Sequence, residues 1–577
     1  MKIKNQKKKR KYLFLIISLS LFIFSVSFLY YNRFNSYINF KKIQCYSSGA
    51  TISANLFLPK DNLEFQGEHP LVFFVHGLGS QKDLDPRIPI ELTKRGFFVA
   101  SIDYRGSGES TGGLLDMNYD EYHNRTNIPA IAQDCSKLLD KIETLPEYSR
   151  INSSQIGIVG HSFGGMVALM NSALDNRFKA IVTWAGLVNF SASLFGISES
   201  HPFMNYIPAK IINITNPQNL LVIHSIFDTT VPYEKNALVA KNLTNCSMVN
   251  ITHHILGGPH FLLVDEVLVK TINWFEQQFF NSITINGPIR ASYIRIYVLL
   301  FLTLFSIFLT TIAIMVTISK YIVIEKEQPQ IFEENDKSRL KYGIKNFIII
   351  FSSYIGIIMI WFFFIVQLGI PGLFLAPAII ILIILILSCI KHFVGIKKTN
   401  GRTKHIFTKS NLIKIIKSYF KKNIVVYPLI SAAIFLILYF SVSISFPFGF
   451  FSPINFISFI LAYGIYPFYL VFELYYRKIV YDKLDFIRSP LIKLIIVNAM
   501  GIFHMIFLML LAYSLFLIVA FMATFFISLV VMLMNSLIYE KTKNFGSVLI
   551  SSFLIIQIFF CSAITSLYGF GSLINLL

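Results

Sequence analysis

From residue 292 to its C-terminus the chain is a succession of apolar runs separated by short connections, several of them basic. A run of about 20 apolar residues is long enough to cross the hydrocarbon of a bilayer as a helix. Within lipid every backbone N–H and C=O must find its partner inside the protein, which restricts such runs to helices. Eight spans are predicted, at roughly 293–318, 346–368, 373–390, 424–445, 455–475, 494–513, 515–537 and 546–574. The stretch from 494 to 537 is too long for one helix and is divided near Tyr513–Ser514. A further apolar run at 13–31 follows the basic opening "MKIKNQKKKRKY" (1–12). It lacks a small-residue cleavage site, so it reads as a retained signal anchor rather than a removed signal peptide. The class expected for 292–577 is an all-α polytopic membrane domain.

Charge placement orients these spans. The chain has 51 Lys and Arg against 31 Asp and Glu, a formal net charge of +20. Such an excess also suits a nucleic-acid binder, but here many of the cations flank apolar runs. The segment "KKTNGRTKHIFTKSNLIKIIKSYFKK" (397–422) contains no acid and sits between two spans. Under the positive-inside rule it is a cytoplasmic loop. A cytoplasmic N-terminus then puts the connections 319–345, 391–423, 476–493 and 538–545 inside. The uncharged "PG" (371–372) and "FPFGFFSP" (446–453) fall outside. The expected topology has residues 31–291 and the C-terminus outside after nine spans, in an integral multi-pass protein of the cell membrane. Membrane lipid is an expected partner and nucleic acid is not. A hydrophobic content of 54% with 14% charged residues fits this reading.

Between anchor and spans, residues 41–281 have ordinary polarity and read as an extracytoplasmic domain. The runs "TISANLFLP", "LVFFVHG", "FFVASIDY", "IGIVGH", "AIVTWAG", "LLVIHS" and "NITHHIL" read as strands. Helical candidates lie between them at about 128–145, 163–174, 233–243 and 262–280. Strands alternating with helices predict an α/β fold, a mostly parallel sheet with helices on both faces. The Asn-x-Ser/Thr sequons at Asn124, Asn152, Asn189, Asn213, Asn242, Asn245 and Asn250 all fall in this segment, which suits an external domain. The five cysteines are too widely spaced to specify a disulfide framework or a metal site. One bridge among Cys45, Cys135 and Cys246 is an option; buried thiols are the plainer one.

The stretch "IGIVGHSFGGM" (156–166) carries the chemistry. Gly-x-Ser-x-Gly alone is a weak pattern, and its setting decides. Ser162 follows an apolar strand and precedes the helical candidate "FGGMVALMNSAL". Gly160 and Gly164 remove side chains that a sharp strand-to-helix turn cannot hold. A serine nucleophile also needs a histidine base, an acid to orient that base and two donors for the oxyanion.

With these motifs in view, residues 45–280 resemble the α/β-hydrolase superfamily, in its esterase and serine aminopeptidase-like branch. Four landmarks occur in that family's order. "VFFVHGLGS" is similar to the oxyanion loop after the third strand, and "SIDYRGSGES" to the turn after the fourth. The serine elbow follows, and then "LLVIHSIFDTTVP" with "LGGPHFLL", similar to the acid and histidine loops. His224–Ser225 stands where the family usually has His-Gly. The resemblance implies an α/β-hydrolase fold with Ser162 as nucleophile, Asp228 as acid and His260 as base. It implies an oxyanion hole from the backbone N–H groups of Leu78 and Phe163, with His76, Gly77, Gly79, Gly160, His161 and Gly164 supporting the motifs. It implies no metal and no organic cofactor.

Plainer roles compete for some of these residues. Asp228 could cap a helix beginning near Pro232. His253 and His254, in a strand-like run, compete with His260 and read as structural. Asp103, Arg105, Gly106 and Gly108 read as shaping a turn near the site.

The expected activity is that of a membrane-anchored serine hydrolase cleaving carboxylic esters through an acyl-enzyme, with a small-molecule or lipid-like ester as substrate. Acyl transfer or peptide cleavage could use the same triad, and a ligand-binding domain without turnover is the non-enzymatic alternative. An insertion at 187–216 carries only Glu199 and Lys210 as charges and offers Phe190, Leu194, Phe195, Phe203, Met204 and Tyr206. It suits apolar acyl chains, or it simply packs a cap onto the sheet. Within the spans the ionisable residues are few, Glu473 beside Arg477 and His504, so an anchor or scaffold is the modest reading of that half.

Overall fold

A computed structural model describes residues 2–34, 39–59, 67–120 (apart from 83, 84 and 86), 125–253, 259–282 (apart from 263), 293–322 (apart from 320), 345, 422–443, 473, 475–481, 484, 487, 489, 492–502 and 518–558. The chain divides into two compact units. Helix α1 (Lys2–Phe34) contains the apolar run 13–31.

One unit is built on an eight-stranded sheet. Its strands are β1 (Asn39–Ser47), β2 (Ala50–Leu58), β3 (His69–Val75), β4 (Phe98–Asp103), β7 (Ile151–His161), β8 (Phe178–Trp184), β9 (Leu220–Ser225) and β10 (Ser247–Ile251). They lie in the order β1-β2-β4-β3-β7-β8-β9-β10. β2 is antiparallel to both β1 and β4, and every other pairing is parallel. β5 (Met117–Asp120) and β6 (Arg125–Pro129) form a separate hairpin. The helices are α2 (Arg87–Thr93), α3 (Asp134–Glu143), α4 (Phe163–Leu174), α5 (Pro208–Ile211), α6 (Tyr233–Thr244) and α7 (Asp265–Phe280).

A parallel strand covered on both faces has no polar face to keep, and β3 ("HPLVFFV") is buried throughout. Its side chains alternate: Leu71, Phe73 and Val75 join a core with α3, α4 and α6. Val72 and Phe74 join the opposite core, with α2 and α7. Full burial of such a side chain contributes about 1.5–3 kcal/mol, so the central strands form a stiff floor. Parallel strands end together, which places the loops after β3, β4, β7, β9 and β10 along one edge.

Several expectations are corrected in detail. The last strand is Ser247–Ile251 rather than "NITHHIL"; His253 lies past it and is exposed, and His254 falls outside the described residues. The helix expected at 128–145 is shorter, because β6 and the 3-10 turn Ala130–Gln133 take its first residues. β1 escaped the strand reading because its outward positions are polar: "NFKKIQCYS" pairs along its whole length with β2. Cys45, Cys135 and Cys246 are free thiols.

The other unit is helical among the described residues. Two of its helices are long and apolar enough to cross a membrane: α8 (Tyr293–Ile318), through Phe301–Ile318, and helix Lys422–Ser443, through Val425–Val442. The Thr310 hydroxyl donates to the Ser18 carbonyl of α1 at 3.0 Å, and Tyr427 to the Met315 carbonyl at 3.2 Å. Helices Ile518–Thr542 and Phe545–Ile558 are joined by Lys543 and Asn544 alone, a shorter connection than the 538–545 expected from polarity. Buried Arg477 donates to Glu473 (3.0 Å), Ser536 Oγ (2.6 Å) and the Met532 carbonyl (2.7 Å). Glu473 therefore has its local cationic partner, as a buried charge requires. The spans expected at 346–368 and 373–390 and His504 lie outside the described residues, as does nearly all of 455–475.

Candidate active site

β7 ends at His161 and α4 begins at Phe163, so the chain turns at Ser162 alone. Its φ of 55° with ψ of −118° is a state that costs a non-glycine residue of order 1–3 kcal/mol. Hydrogen bonds hold it there. The Ser162 N–H donates to the Trp184 carbonyl at 2.8 Å, and the Ser162 carbonyl accepts from Gly165 (2.9 Å) and Leu187 (3.0 Å). The flanking glycines are a packing requirement. A Cβ on Gly160 would stand 2.1 Å from the Gly164 oxygen, and one on Gly164 would stand 2.3 Å from the carbonyl oxygens of Val75 and His76.

The turn brings Ser162 to residues far along the chain. Ser162 Oγ donates to His260 Nε2 at 2.9 Å, and His260 Nδ1–H donates to Asp228 Oδ2 at 2.8 Å. Asp228 follows β9, and its other oxygen accepts the N–H groups of Thr230 (2.8 Å) and Val231 (3.0 Å). α6 starts at Tyr233 with Pro232 as its N-cap and no side-chain cap, so Asp228 does not cap it. Burial alone would raise the Asp228 pKa. Hydrogen bonds from His224 and His260 outweigh it and hold the carboxyl well below the usual carboxylate range. His161 donates from Nε2 to the His260 carbonyl at 3.0 Å and so steadies that loop. Burial, then the neighbouring His260, lowers the His161 pKa from 6.5 to about 4, which keeps this ring neutral.

β3 leads into His76, Gly77 and Leu78. A Cβ on Gly77 would stand 2.9 Å from His161 Nδ1 and 3.4 Å from Ser162 Cβ, so this loop lies against the serine. Gly79 follows at φ 73°. Phe163 opens α4, where a backbone N–H has no partner within the helix. The Phe163 ring touches Tyr104 (centroids 5.3 Å apart) and Phe195 (5.9 Å), and Phe195 touches Phe190 (5.4 Å) and Phe203 (5.9 Å). The insertion at 187–216 thus sets its aromatic side chains beside the residue that follows the serine.

The residues of "SIDYRGSGES" shape a turn, as expected. Arg105 is fully buried on Asp134, with Nη2 at 2.6 Å. Asp103 accepts the Lys82 N–H (2.6 Å), Lys82 Nζ (2.7 Å) and the Glu109 N–H (3.0 Å). Burial would raise the Asp103 pKa; Lys82 and His76 reverse this and carry it well below the usual range. A Cβ on Gly108 would stand 2.3 Å from the Asp103 carboxylate. The sequence reading passed over Lys82, because nothing local marks a lysine that will be buried.

Residues 87–256 match the prolyl oligopeptidase family, peptidase family S9. Platelet-activating factor acetylhydrolase of Bos taurus is 27% identical, over 19% of this chain and 34% of that protein. The 2,6-dihydropseudooxynicotine hydrolase of Paenarthrobacter nicotinovorans is 30% identical, over 21% of this chain and 30% of that protein. The chain thus spans about a third of the length of these relatives. Among solved structures, the acylaminoacyl peptidase of Pyrococcus horikoshii superposes with a TM-score of 0.32 at 17% identity, over 42% of each chain. The sheet order and the family match together give this domain an α/β-hydrolase fold, similar to family S9 over residues 87–256.

Proposed function

We propose that the chain is a membrane-tethered serine hydrolase that cleaves carboxylic esters of apolar acyl groups, with Ser162, His260 and Asp228 as its triad. The observation that carries this reading is the unbroken hydrogen-bond chain from Ser162 Oγ through His260 to Asp228, at 2.9 and 2.8 Å.

In the proposed reaction Ser162 Oγ attacks the ester carbonyl while its proton passes to His260 Nε2. Asp228 holds the ring with Nδ1–H toward itself and stabilises the imidazolium. The negative oxygen of the tetrahedral intermediate accepts from the Leu78 and Phe163 N–H groups, each donor lowering the barrier by roughly 3–4 kcal/mol. Collapse breaks the ester C–O bond, and the leaving alkoxide takes the proton from His260. Water repeats the sequence on the acyl-enzyme and frees the acid and Ser162.

The aromatic cluster of Phe163, Phe195, Phe190 and Phe203 suits an apolar acyl group. An acyl chain lying along them buries methylenes at about 0.8 kcal/mol each. The acetylhydrolase named above agrees with ester chemistry, while the family S9 match favours peptide cleavage as a second reading. The tether rests on the apolar helices and their basic flanks. In this reading the N-terminus is cytoplasmic and residues 31–291 lie outside, with the C-terminus outside after nine spans.

Fluorophosphonate should label the wild type and spare Ser162→Ala. A p-nitrophenyl ester series should show kcat/KM rising from acetyl to medium chains. Faster turnover of aminopeptidase substrates would favour the second reading. For topology, cysteines placed at Lys60 and Lys404 are exposed to an impermeant thiol reagent on intact cells. Only the first should react; reaction of the second alone inverts the topology.

A further inference from the structure

We propose that the membrane connections hold Ser162 off the bilayer, so that the substrate is an ester dispersed in water rather than one resident in the anchoring membrane. This rests on the serine hydrolase reading and on the tether it includes.

The pairing register of the sheet shows where the chain enters and leaves the domain. One row of paired residues crosses five strands, from Phe40 through Phe57, Val99 and Val72 to Gly157. Asn39, where the chain arrives from α1, lies one residue before this row. Ser162 lies five residues beyond it, just past the end of β7 and about 17 Å further along. α7 runs back against the strands and ends at the edge where Asn39 lies. Its Phe279 carbonyl accepts from Gln155 Nε2 at 2.6 Å, seven residues before Ser162. Its last residue, Phe280, touches Phe97 (centroids 5.3 Å apart), which immediately precedes β4. Phe40 meets Phe57 (5.3 Å) at the rim of the core that holds Phe97 and Phe279. Both connections to the apolar helices therefore leave one edge of the sheet, and Ser162 opens on the other.

Leu78, Ile226 and Phe227 are exposed on the Ser162 edge, and taken alone they suit a rim that dips into lipid. The length of the first connection decides against it. Only residues 35–38 separate α1 from β1, and five Cα steps reach at most about 18 Å. Residues 32–34 of α1, beyond the apolar run, add about 4.5 Å. To set Ser162 on the bilayer, Asn39 must rise about 20 Å above it, before the insertion at 187–216 is counted. A fully stretched chain barely covers that distance, and the insertion, which follows β8 on the same edge, takes it out of reach. The second connection, 283–292, is longer and does not set the limit.

The substrate class follows from this placement. A two-chain lipid must leave the bilayer whole to reach Ser162, giving up the burial of every methylene. An ester with one short or medium acyl group and a polar alcohol diffuses to the site through water. The exposed apolar residues then meet its acyl group instead of the membrane.

The full chain in nanodiscs serves for the test, beside a long form with about 20 Gly and Ser residues inserted within 35–38 and again within 283–292. A fluorophosphonate carrying a dye marks Ser162, and lipids with a nitroxide on the headgroup quench any dye at the bilayer surface. The wild type should stay unquenched and the long form should be quenched. Quenching of the wild type, or none in either form, overturns the proposal. The wild-type result decides alone if the long form does not label. Rates give a second readout. The wild type should favour p-nitrophenyl butyrate in water over p-nitrophenyl palmitate in the nanodisc by about a hundredfold in kcat/KM. The long form should raise the palmitate rate about tenfold and keep the butyrate rate within about twofold. Equal palmitate rates in the two forms overturn the proposal. A wild type that fluorophosphonate does not label fails at the hydrolase reading, and a chain that does not enter nanodiscs fails at the tether. A labelled, embedded wild type with a quenched dye fails at this proposal alone.

Discussion

The turns after β4 and β7 leave the same edge of the sheet and treat their polar atoms in opposite ways. After β4 the polar groups close on one another. Asp103 takes three N–H donors, Arg105 is sealed on Asp134, and both side chains are fully buried. After β7 the turn holds its key atom open. Ser162 sits in a strained backbone state with its hydroxyl donated to His260, 98 residues away. The closed turn is a stability device and the open one stores strain where chemistry is proposed, a division that substitution can probe.

The largest effect should come from the open turn. Ser162→Ala is expected to cut kcat by about 10⁶-fold and Asp228→Asn by about 10⁴-fold, measured with a p-nitrophenyl ester. Chemical denaturation should find the folded stability of Ser162→Ala little changed, whereas Asp228→Asn also loses what the buried carboxylate contributes. A large stability loss in Ser162→Ala would erase the contrast.

The closed turn should respond in the opposite sense. Asp134→Ala leaves the Arg105 guanidinium buried without its carboxylate, and the expected cost is about 3–5 kcal/mol in chemical denaturation. Molecules that remain folded should keep kcat within about twofold, since Asp134 touches no reacting group. A collapse of kcat at unchanged stability would mean that the β4 turn acts in the chemistry.

Phe195→Ala sharpens the comparison at the cap. It should lower the medium-chain to acetyl ratio of kcat/KM by about tenfold and leave the acetyl rate nearly unchanged. An unaltered ratio would make the Phe163–Phe195 contact packing only.

The smallest effect is a slope with pH. His161 is neutral when folded, with its pKa lowered to about 4 from 6.5. Between those values the unfolded chain binds a proton that the folded protein does not, so stability present above pH 6.5 is lost as the pH falls toward 4. His161→Gln should flatten that slope by up to one proton. Asp103 and Asp228, held below the ordinary range, lose their contribution at lower pH, beneath the unfolded carboxylate value of about 4. The two windows can therefore be told apart.

Much of this arrangement was legible in the linear chain because its causes are local. The elbow was readable since Gly160 and Gly164 are demanded by backbone atoms a few residues away or in the adjacent strand. The buried strands were readable because β3 and the second half of β7 are apolar on both faces. β1 was not, since a half-exposed edge strand with two lysines resembles a loop until β2 is paired with it. The bounds of β10 slipped for a similar reason: Ile251 and Thr252 continue the β-branched pattern, and pairing with β9 ends it at Ile251.

By itself the sequence determined the apolar runs, the αβ alternation and the serine turn, all set by hydropathy period and by backbone sterics within a few residues. Only tertiary structure decided which histidine reaches Ser162, that Asp228 faces that histidine instead of capping α6, and that Lys82 is buried between two carboxylates. The reason is physical. A hydrogen bond of 2.8 Å between residues 32 apart depends on the summed geometry of every strand and loop between them, and no local preference carries that sum.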